Sequence, residues 1–202
     1  MSAADRVQPQ HVTAFHRLMQ RKYGSQVLDK NVREALDQAN AFTKRLGIVD
    51  ATAYLKSYAF TLGNFIWYPF DVLKPVAIGN WTLAGQLITI AHEHVHVRQF
   101  KDHKGLPFAA DYVTSSEARA MRWESEAYCV TLEVWAALYG DIPAPTPEQV
   151  VAPLVAYGCT TAEVQGAAEV VRTRYETIRR GGTVTDEART LLDFLTSAQL
   201  AG

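Results

Sequence analysis

The segment 91–96, with the sequence A-H-E-H-V-H, constrains the fold of this chain more than any other. It contains the pattern H-E-x-x-H within a run of apolar residues at helical spacing, from about residue 81 to residue 101. Residues four apart on an α-helix are one turn apart on one face, so the imidazoles of His92 and His96 can converge on a single ion. Glu93 lies on the neighbouring face, near enough to accept a proton from a water on that ion. Catalytic zinc sites of hydrolases use this spacing.

A catalytic zinc site needs a third protein ligand, because zinc usually takes three and leaves the fourth position to water. The metzincin pattern is absent, since Gln99 stands where that pattern requires a glycine, and Asp102 alone does not restore it. Glu124 and Glu126 are the next candidates, because a following helix that returns antiparallel to the first would bring a carboxylate to the metal. His103 is a reserve candidate if the first helix continues that far.

The chain resembles the gluzincin metallopeptidases, which carry H-E-x-x-H on one helix and E-x-x-A on a later one. In that family the third ligand is the Glu three residues before the Ala, so the resemblance implies zinc (Zn2+) as cofactor and Glu124 as ligand. The segments H-E-H-V-H-V-R-Q and E-S-E-A-Y are also similar to small bacterial H-E-x-x-H-V-x-Q proteins, and the resemblance covers about residues 58–128. Larger gluzincins often have Asp after the Ala, where this chain has Tyr128, and Glu126 therefore stays open as the alternative ligand.

A zinc ion on His92, His96 and Glu124 would lower the pKa of its bound water towards about 7 and polarise a substrate carbonyl. Glu93 would then take the proton as general base and pass it to the leaving amine. We therefore predict a zinc-dependent hydrolase, a metallopeptidase that acts on a peptide or protein substrate. The alternative is a non-catalytic, metal-stabilised binding or assembly module with a zincin-like fold, because folds are reused for other functions.

The elements predict a mostly helical α+β fold: a zincin-like core with a small antiparallel sheet or hairpin, an active-site helix and C-terminal helices. Aromatic and β-branched residues from 53 to 70 predict a hairpin with its turn at 62–64. The second strand, 64–68, is expected to pair by its edge with an extended peptide. We predict a core over residues 1–140 and a helical extension over 141–202 that packs on the same domain.

Other helices are predicted over residues 12–23 and 29–47, with the second starting at the N-cap Asp29. A loop is predicted from Leu106 to Tyr112. It is followed by a helix from Ser115 or Ser116 to about Tyr139. Further helices are expected to begin near residues 147, 160 and 185, the middle one with a capping box.

The remaining polar residues carry weaker signals. His94 points away from His92 on the helix, so we expect a hydrogen-bonded or surface histidine. Gln99 could orient the imidazole of His96 through a hydrogen bond. A phenol could stabilise a developing oxyanion, but packing is the expected role of the remaining aromatic and histidine side chains considered, namely Tyr112, Tyr128, His11 and His16.

Composition excludes several classes of protein. Hydrophobic residues make up 48% and charged residues 20%, which is too apolar for a disordered chain. The balance of 20 Lys and Arg against 21 Asp and Glu, without a basic stripe, argues against a nucleic-acid partner. The absence of a long apolar run and of a signal sequence predicts a protein without a membrane partner and with a cytoplasmic location. Cys129 and Cys159 are expected to be buried free thiols, and nothing indicates an oligomeric state.

Overall fold

The computed structural model describes residues 2–28, 57–103, 105–140, 145–180, 182–183 and 185–200, with the single positions 37, 40, 41 and 44. Over these residues the chain is mostly helical with a small mixed sheet of three strands, which agrees with the predicted α+β class. None of the described helices combines the length and the apolar character needed to cross a membrane. Apart from single positions, the predicted helix 29–47 lies outside the described residues. The elements are α1 (Ala3–Arg6), α2 (Pro9–Tyr23), β1 (Gln26–Val27), β2 (Phe60–Leu62), β3 (Phe65–Trp67), α3 (Leu83–Asp102), α4 (Leu106–Thr114), α5 (Ser116–Ala118), a π-helical segment (Arg119–Glu124), α6 (Ser125–Tyr139), α7 (Pro147–Val151), a 3-10 segment (Ala152–Tyr157), α8 (Thr161–Arg179) and α9 (Asp186–Ser197).

Helix α3 carries the H-E-x-x-H pattern and lies at the centre of the molecule. Thr82 caps its first turn, where the side-chain Oγ1 accepts a hydrogen bond from the backbone N–H of Gly85 at 2.9 Å. The helix contacts α2, α6 and α9, and apolar residues such as Leu87 and Val95 are fully buried on it. Polar residues on α3 are buried as well, because neighbouring elements cover most of its surface.

The predicted hairpin is confirmed over the described residues. Strands β2 and β3 pair antiparallel, with Phe60 opposite Trp67 and Leu62 opposite Phe65. The chain turns at Gly63, whose φ of +66° lies in the left-handed region that a side chain disfavours. The part of the predicted hairpin before residue 57 lies outside the described residues.

Strand β3 is the middle strand of the sheet, so the predicted edge pairing of residues 64–68 with a peptide is wrong. Strand β1 runs parallel to β3 and gives the order β1-β3-β2. The N–H of Gln26 donates to the carbonyl of Asn64, and that of Leu28 donates to Ile66, each at 2.8 Å. A strand of two residues is too short to show an alternating pattern, which is why the sequence did not predict β1.

The predicted loop from Leu106 to Tyr112 is also wrong, because residues 106–114 form helix α4. The chain reverses at Gly105, with a φ of +72°, and Pro107 occupies the first turn, where its missing N–H costs no hydrogen bond. Phe108 and Tyr112, one turn apart, are both buried on the same face.

A π-helical segment interrupts the long helix that comes next. The helix starts where predicted, since the Ser115 hydroxyl caps the N–H of Ala118 at 3.1 Å, and it continues to Tyr139. Arg119 opens the π-helical segment, and its buried guanidinium donates to backbone carbonyls of Tyr112 and Tyr157. These bonds tie the segment to α4 and to the 3-10 segment. Such π-helical turns are often found at functional sites.

The helices after residue 145 begin where the sequence predicts. Thr146, Thr160 and Thr185 each cap a helix with the side-chain oxygen, and the first two form complete capping boxes. Helix α8 packs against α6 and the π-helical segment, whereas α9 packs against α3 and α6. Cys129 and Cys159 are buried and free, as expected.

Candidate metal centre

His92, His96 and Glu124 form a group that could hold a metal ion, with one ligand atom from each residue lying within 4.8 Å of the others. The two histidines are one turn apart on α3, and Glu124 is the last residue of the π-helical segment. Glu124 Oε1 lies 3.3 Å from Nε2 of His96, and Oε2 lies 3.6 Å from Nε2 of His92. The carboxylate therefore faces both imidazoles.

The residues present fit a bound cation. Oε2 of Glu124 is buried and has no hydrogen-bond partner among the described residues. A buried carboxylate oxygen without a partner is costly, and a cation between it and the two Nε2 atoms would remove that cost. Two imidazoles and one carboxylate suit zinc and also other first-row divalent ions. The donor set therefore supports a metal without fixing which one.

Hydrogen bonds orient both imidazoles so that Nε2 faces Glu124. Nδ1 of His92 lies 3.0 Å from the hydroxyl of Thr131, which itself donates to the carbonyl of Ala127 at 3.3 Å. Because that hydroxyl proton is used, Thr131 accepts the Nδ1–H of His92. Nδ1 of His96 likewise donates to Oε1 of Gln99 at 2.9 Å. The lone pair on each Nε2 is thus directed towards the place where a metal ion would bind.

The charges of the metal-free group are set by mutual attraction between its members. Burial opposes the charged form of His96, but the carboxylates of Glu124 and Glu93 outweigh it and raise the pKa of His96 to about 9. Burial alone would raise the pKa of Glu124, yet the adjacent His96 and His92 bring it well below its usual range. Glu124 is therefore ionised at neutral pH, which is the form that binds a cation.

Glu93 lies beside this group and is buried. The hydroxyl of Thr61, on β2, donates to Oε2 of Glu93 at 2.7 Å. Burial raises the pKa of Glu93, although His92 and His96 partly oppose the shift. A carboxylate whose pKa is raised is a stronger base than an ordinary glutamate, which suits it to accept a proton.

The other candidate ligands make different contacts. Glu126 and Asp102 both pair with Arg98, at 2.9 Å and 3.6 Å respectively. The ring of His103 packs against Trp123, with the ring centroids 4.8 Å apart. Among the described residues, the group that could hold a metal therefore includes Glu124 and none of these three.

The two tyrosines considered from the sequence both border the group. The Tyr112 hydroxyl donates to Oε1 of Glu124, and so holds the carboxylate in place. The Tyr128 ring packs against the His92 ring with centroids 5.2 Å apart. The predicted contact between Gln99 and His96 is present.

Two hydroxyls that contact the site, those of Thr61 and Thr131, were not predicted. Thr131 lies two helical turns after Glu124, so helical spacing could have placed it on the same face of the helix. Thr61 contacts Glu93 only because β2 packs on α3. No local pattern in the sequence predicts that contact.

Two cavities border the group, one at His96 and the other at His92 and Glu93. A cavity of about 460 Å³ adjoins His96, and its walls are mainly apolar, with Leu62, Phe100, Phe108, Tyr112 and Val113 among the lining residues. A second cavity of about 520 Å³ adjoins His92 and Glu93, with Tyr58, Ile88, Tyr128 and Tyr157 in its wall. The arrangement offers space for a ligand beside each of the two histidines. Comparison of the chain with known proteins gives no match to a family model, to a curated protein or to a solved structure.

Proposed function

We propose that this chain is a zinc-dependent hydrolase, specifically a metallopeptidase, in which His92, His96 and Glu124 hold Zn2+ and Glu93 is the general base. The observation that carries the proposal is the unpartnered, buried Oε2 of Glu124, which belongs to a carboxylate that faces two imidazoles whose Nδ1 atoms are already bonded. The resemblance of H-E-x-x-H and E-x-x-A to the gluzincin pattern supports the same assignment.

Glu93, Thr61 and Tyr112 have separate roles in the proposed reaction. When bound, zinc supplies an acidified water and polarises the carbonyl of the substrate. Thr61 bonds Oε2 of Glu93, so Oε1 is the oxygen that takes the proton from water and returns it to the leaving amine. The Tyr112 hydroxyl bonds Glu124, and its role is therefore to hold that ligand.

The cavities support a substrate that passes across the group, such as an extended peptide. The scissile bond would lie near Glu93, between the cavity that adjoins His96 and the cavity that adjoins His92. The first cavity is apolar enough to accept a large apolar side chain of the substrate, because burial of such a side chain is favourable. We therefore expect cleavage next to residues such as leucine or phenylalanine.

Metal analysis combined with digestion of a mixed synthetic peptide library tests the proposal. The wild type should contain zinc and cut the library, with cleavage sites identified by mass spectrometry. Glu93→Gln should keep its zinc and lose about 100-fold to 10,000-fold in rate, because only the proton acceptor is removed.

Two results would contradict the proposal in different ways. A wild type that binds no zinc under any loading condition would remove the metal site. A wild type that binds zinc but cleaves nothing, with Glu93→Gln indistinguishable from it, would instead favour the metal-stabilised binding or assembly module.

A further inference from the structure

A continuous set of polar contacts connects His96 to the C-terminal helix α9. Gln99 accepts from Nδ1 of His96, and its amide nitrogen donates to Oε2 of Glu126 at 2.7 Å. Arg98 donates to Oε1 of Glu126 at 2.9 Å and, through Nε, to Oε1 of Glu187 at 2.7 Å. The contacts therefore run from α3 through α6 to α9, the last described helix.

Gln99 determines which nitrogen of His96 is left to bind a metal ion. Its amide nitrogen has two acceptors, the backbone carbonyl of Trp123 at 3.0 Å and Oε2 of Glu126. Because both N–H groups are used, Oε1 must face His96, and Nδ1 of His96 is the protonated nitrogen. A Gln99 side chain turned by 180° would present N–H groups to Nδ1 and direct the wrong nitrogen of His96 towards the metal.

Glu126 can hold Gln99 only while its carboxylate is fixed in position. The side chain of Glu126 is 31% exposed, so burial by itself does not immobilise it. The Arg98 guanidinium holds Glu126 by a charged, directional hydrogen bond. Arg98 is also bonded to Glu187, which is fully buried. A buried carboxylate without its cation is strongly unfavourable, so the Arg98–Glu187 pair is held firmly.

We propose that Glu187 is a positioning residue for the metal ligand His96, and that it acts through Arg98, Glu126 and Gln99. Helix α9 then helps to determine the geometry of the metal centre, in addition to packing against α3 and α6. This proposal rests on the metal binding of the proposed function, and it adds a residue from the C-terminal part of the chain to the site.

The adjacent residue Asp186 provides a matched control. It also belongs to α9 and forms an ion pair, with Lys22 at 2.7 Å, but its side chain is 49% exposed and it makes no contact in the set described above. Glu187→Gln and Asp186→Asn remove one charge each from the same helix end. Only the first should change the metal centre.

The full-length variants are titrated with zinc against a chromophoric chelator, and the visible spectrum of the Co2+-loaded protein reports ligand geometry. We expect the dissociation constant for zinc to rise about tenfold in Glu126→Gln and about threefold to tenfold in Glu187→Gln, with a changed Co2+ spectrum in both. Asp186→Asn should match the wild type in both measurements.

Equal zinc affinity and identical Co2+ spectra in Glu187→Gln and the wild type would overturn the proposal while leaving the proposed function intact. Equal losses in Glu187→Gln and Asp186→Asn would also overturn it, because they would indicate a general loosening of α9. A wild type without zinc affinity would remove both proposals. If circular dichroism shows that Glu187→Gln is misfolded, Glu126→Gln, with its partly exposed side chain, decides the outcome on the same two measurements.

Discussion

Two pairs of histidines on opposite sides of α3 show how neighbours decide the role of an imidazole. His92 and His96 face Glu124, and that carboxylate helps to raise the pKa of His96 to about 9. His94 donates from Nδ1 to the carbonyl of Ile90 and is bonded at Nε2 by Ser25. His94 is buried, as is His96, but no carboxylate of the described residues pairs with it. Burial therefore lowers the pKa of His94 to about 3.

His16 completes the second pair. It lies on α2 with its ring centroid 6.4 Å from that of His94, and neither ring nitrogen has a hydrogen-bond partner among the described residues. Burial lowers the pKa of His16 to about 4. His16 and His94 are thus neutral at pH 7. The burial of His16 agrees with the packing role expected from the sequence. Comparison of the two pairs shows that burial alone favours the neutral imidazole. A carboxylate beside the ring instead identifies a histidine as a candidate metal ligand.

Removal of the Glu124 carboxylate should make His96 more similar to His94. Of the substitutions predicted here, it should have the largest effect. Glu124→Ala should lose stoichiometric zinc, because two imidazoles alone are a poor site for it. The pKa of His96 should also fall, since the stronger of the two carboxylates that oppose burial is removed and only Glu93 remains. Elemental analysis and an NMR titration of the histidine ring protons measure the two effects.

Glu126→Ala is the control for this substitution, because Glu126 bonds Gln99 and Arg98 and lies outside the group. It should weaken zinc binding without abolishing it. Zinc retained in Glu124→Ala and lost in Glu126→Ala would reverse the assignment of the third ligand.

His96 on one side, and His16 with His94 on the other, should also give opposite pH dependences of stability in the metal-free protein. His16 and His94 have folded pKa values of about 4 and about 3, below the usual 6.5, so the unfolded chain binds more protons and stability falls as pH falls from 6.5. Each should contribute up to about 1.4 kcal/mol of loss per pH unit. His96 has a raised pKa, so its contribution is complete below pH 6.5 and is lost as pH rises through about 9.

Urea unfolding across a pH series separates these contributions. His16→Leu should reduce the acid slope by about half and leave the alkaline slope unchanged, because one of the two neutral histidines is removed. Glu124→Gln should reduce the alkaline slope, because His96 loses the carboxylate that does most to raise its pKa. If His16→Leu changed the alkaline slope, the two pairs would not be independent.

A smaller effect should result from loss of a bond that orients His92. Thr131→Val keeps the shape of the side chain but removes the acceptor for Nδ1, so zinc affinity should fall about 10-fold to 100-fold. Thr196→Val is the matched control, since its hydroxyl also donates one turn back, to Leu192, but on α9. A competition titration with a chelator measures both, and similar losses in the two variants would argue against an orienting role.

The sequence predicted the elements whose signals are local. Thr160 forms the predicted capping box, and the predicted turn at Gly63 falls between two short aromatic strands. Helix α4 and strand β1 were missed because tertiary packing, and no local pattern, defines them. The division of the chain at residue 140 stays a prediction.

The choice between Glu124 and Glu126 could not be made from helical spacing alone. The π-helical segment that ends at Glu124 inserts an extra residue into the turn and rotates the residues after it relative to an ideal α-helix. Which acid reaches His92 and His96 depends on that rotation, and the hydrogen bonds of the π-helical segment leave no pattern in a single sequence. The resemblance to the gluzincins favoured Glu124, the acid found in the group.

The burial of both cysteines has a consequence for how the site responds to its surroundings. Removal from water raises the pKa of the Cys129 and Cys159 thiols to about 11 each, so neither forms a thiolate under ordinary conditions. The chain therefore presents no thiolate donor to compete for an ion, and no reactive thiol to oxidise. Occupancy of a centre built from nitrogen and oxygen alone should follow acidity and metal supply, and should be indifferent to the redox poise of its compartment.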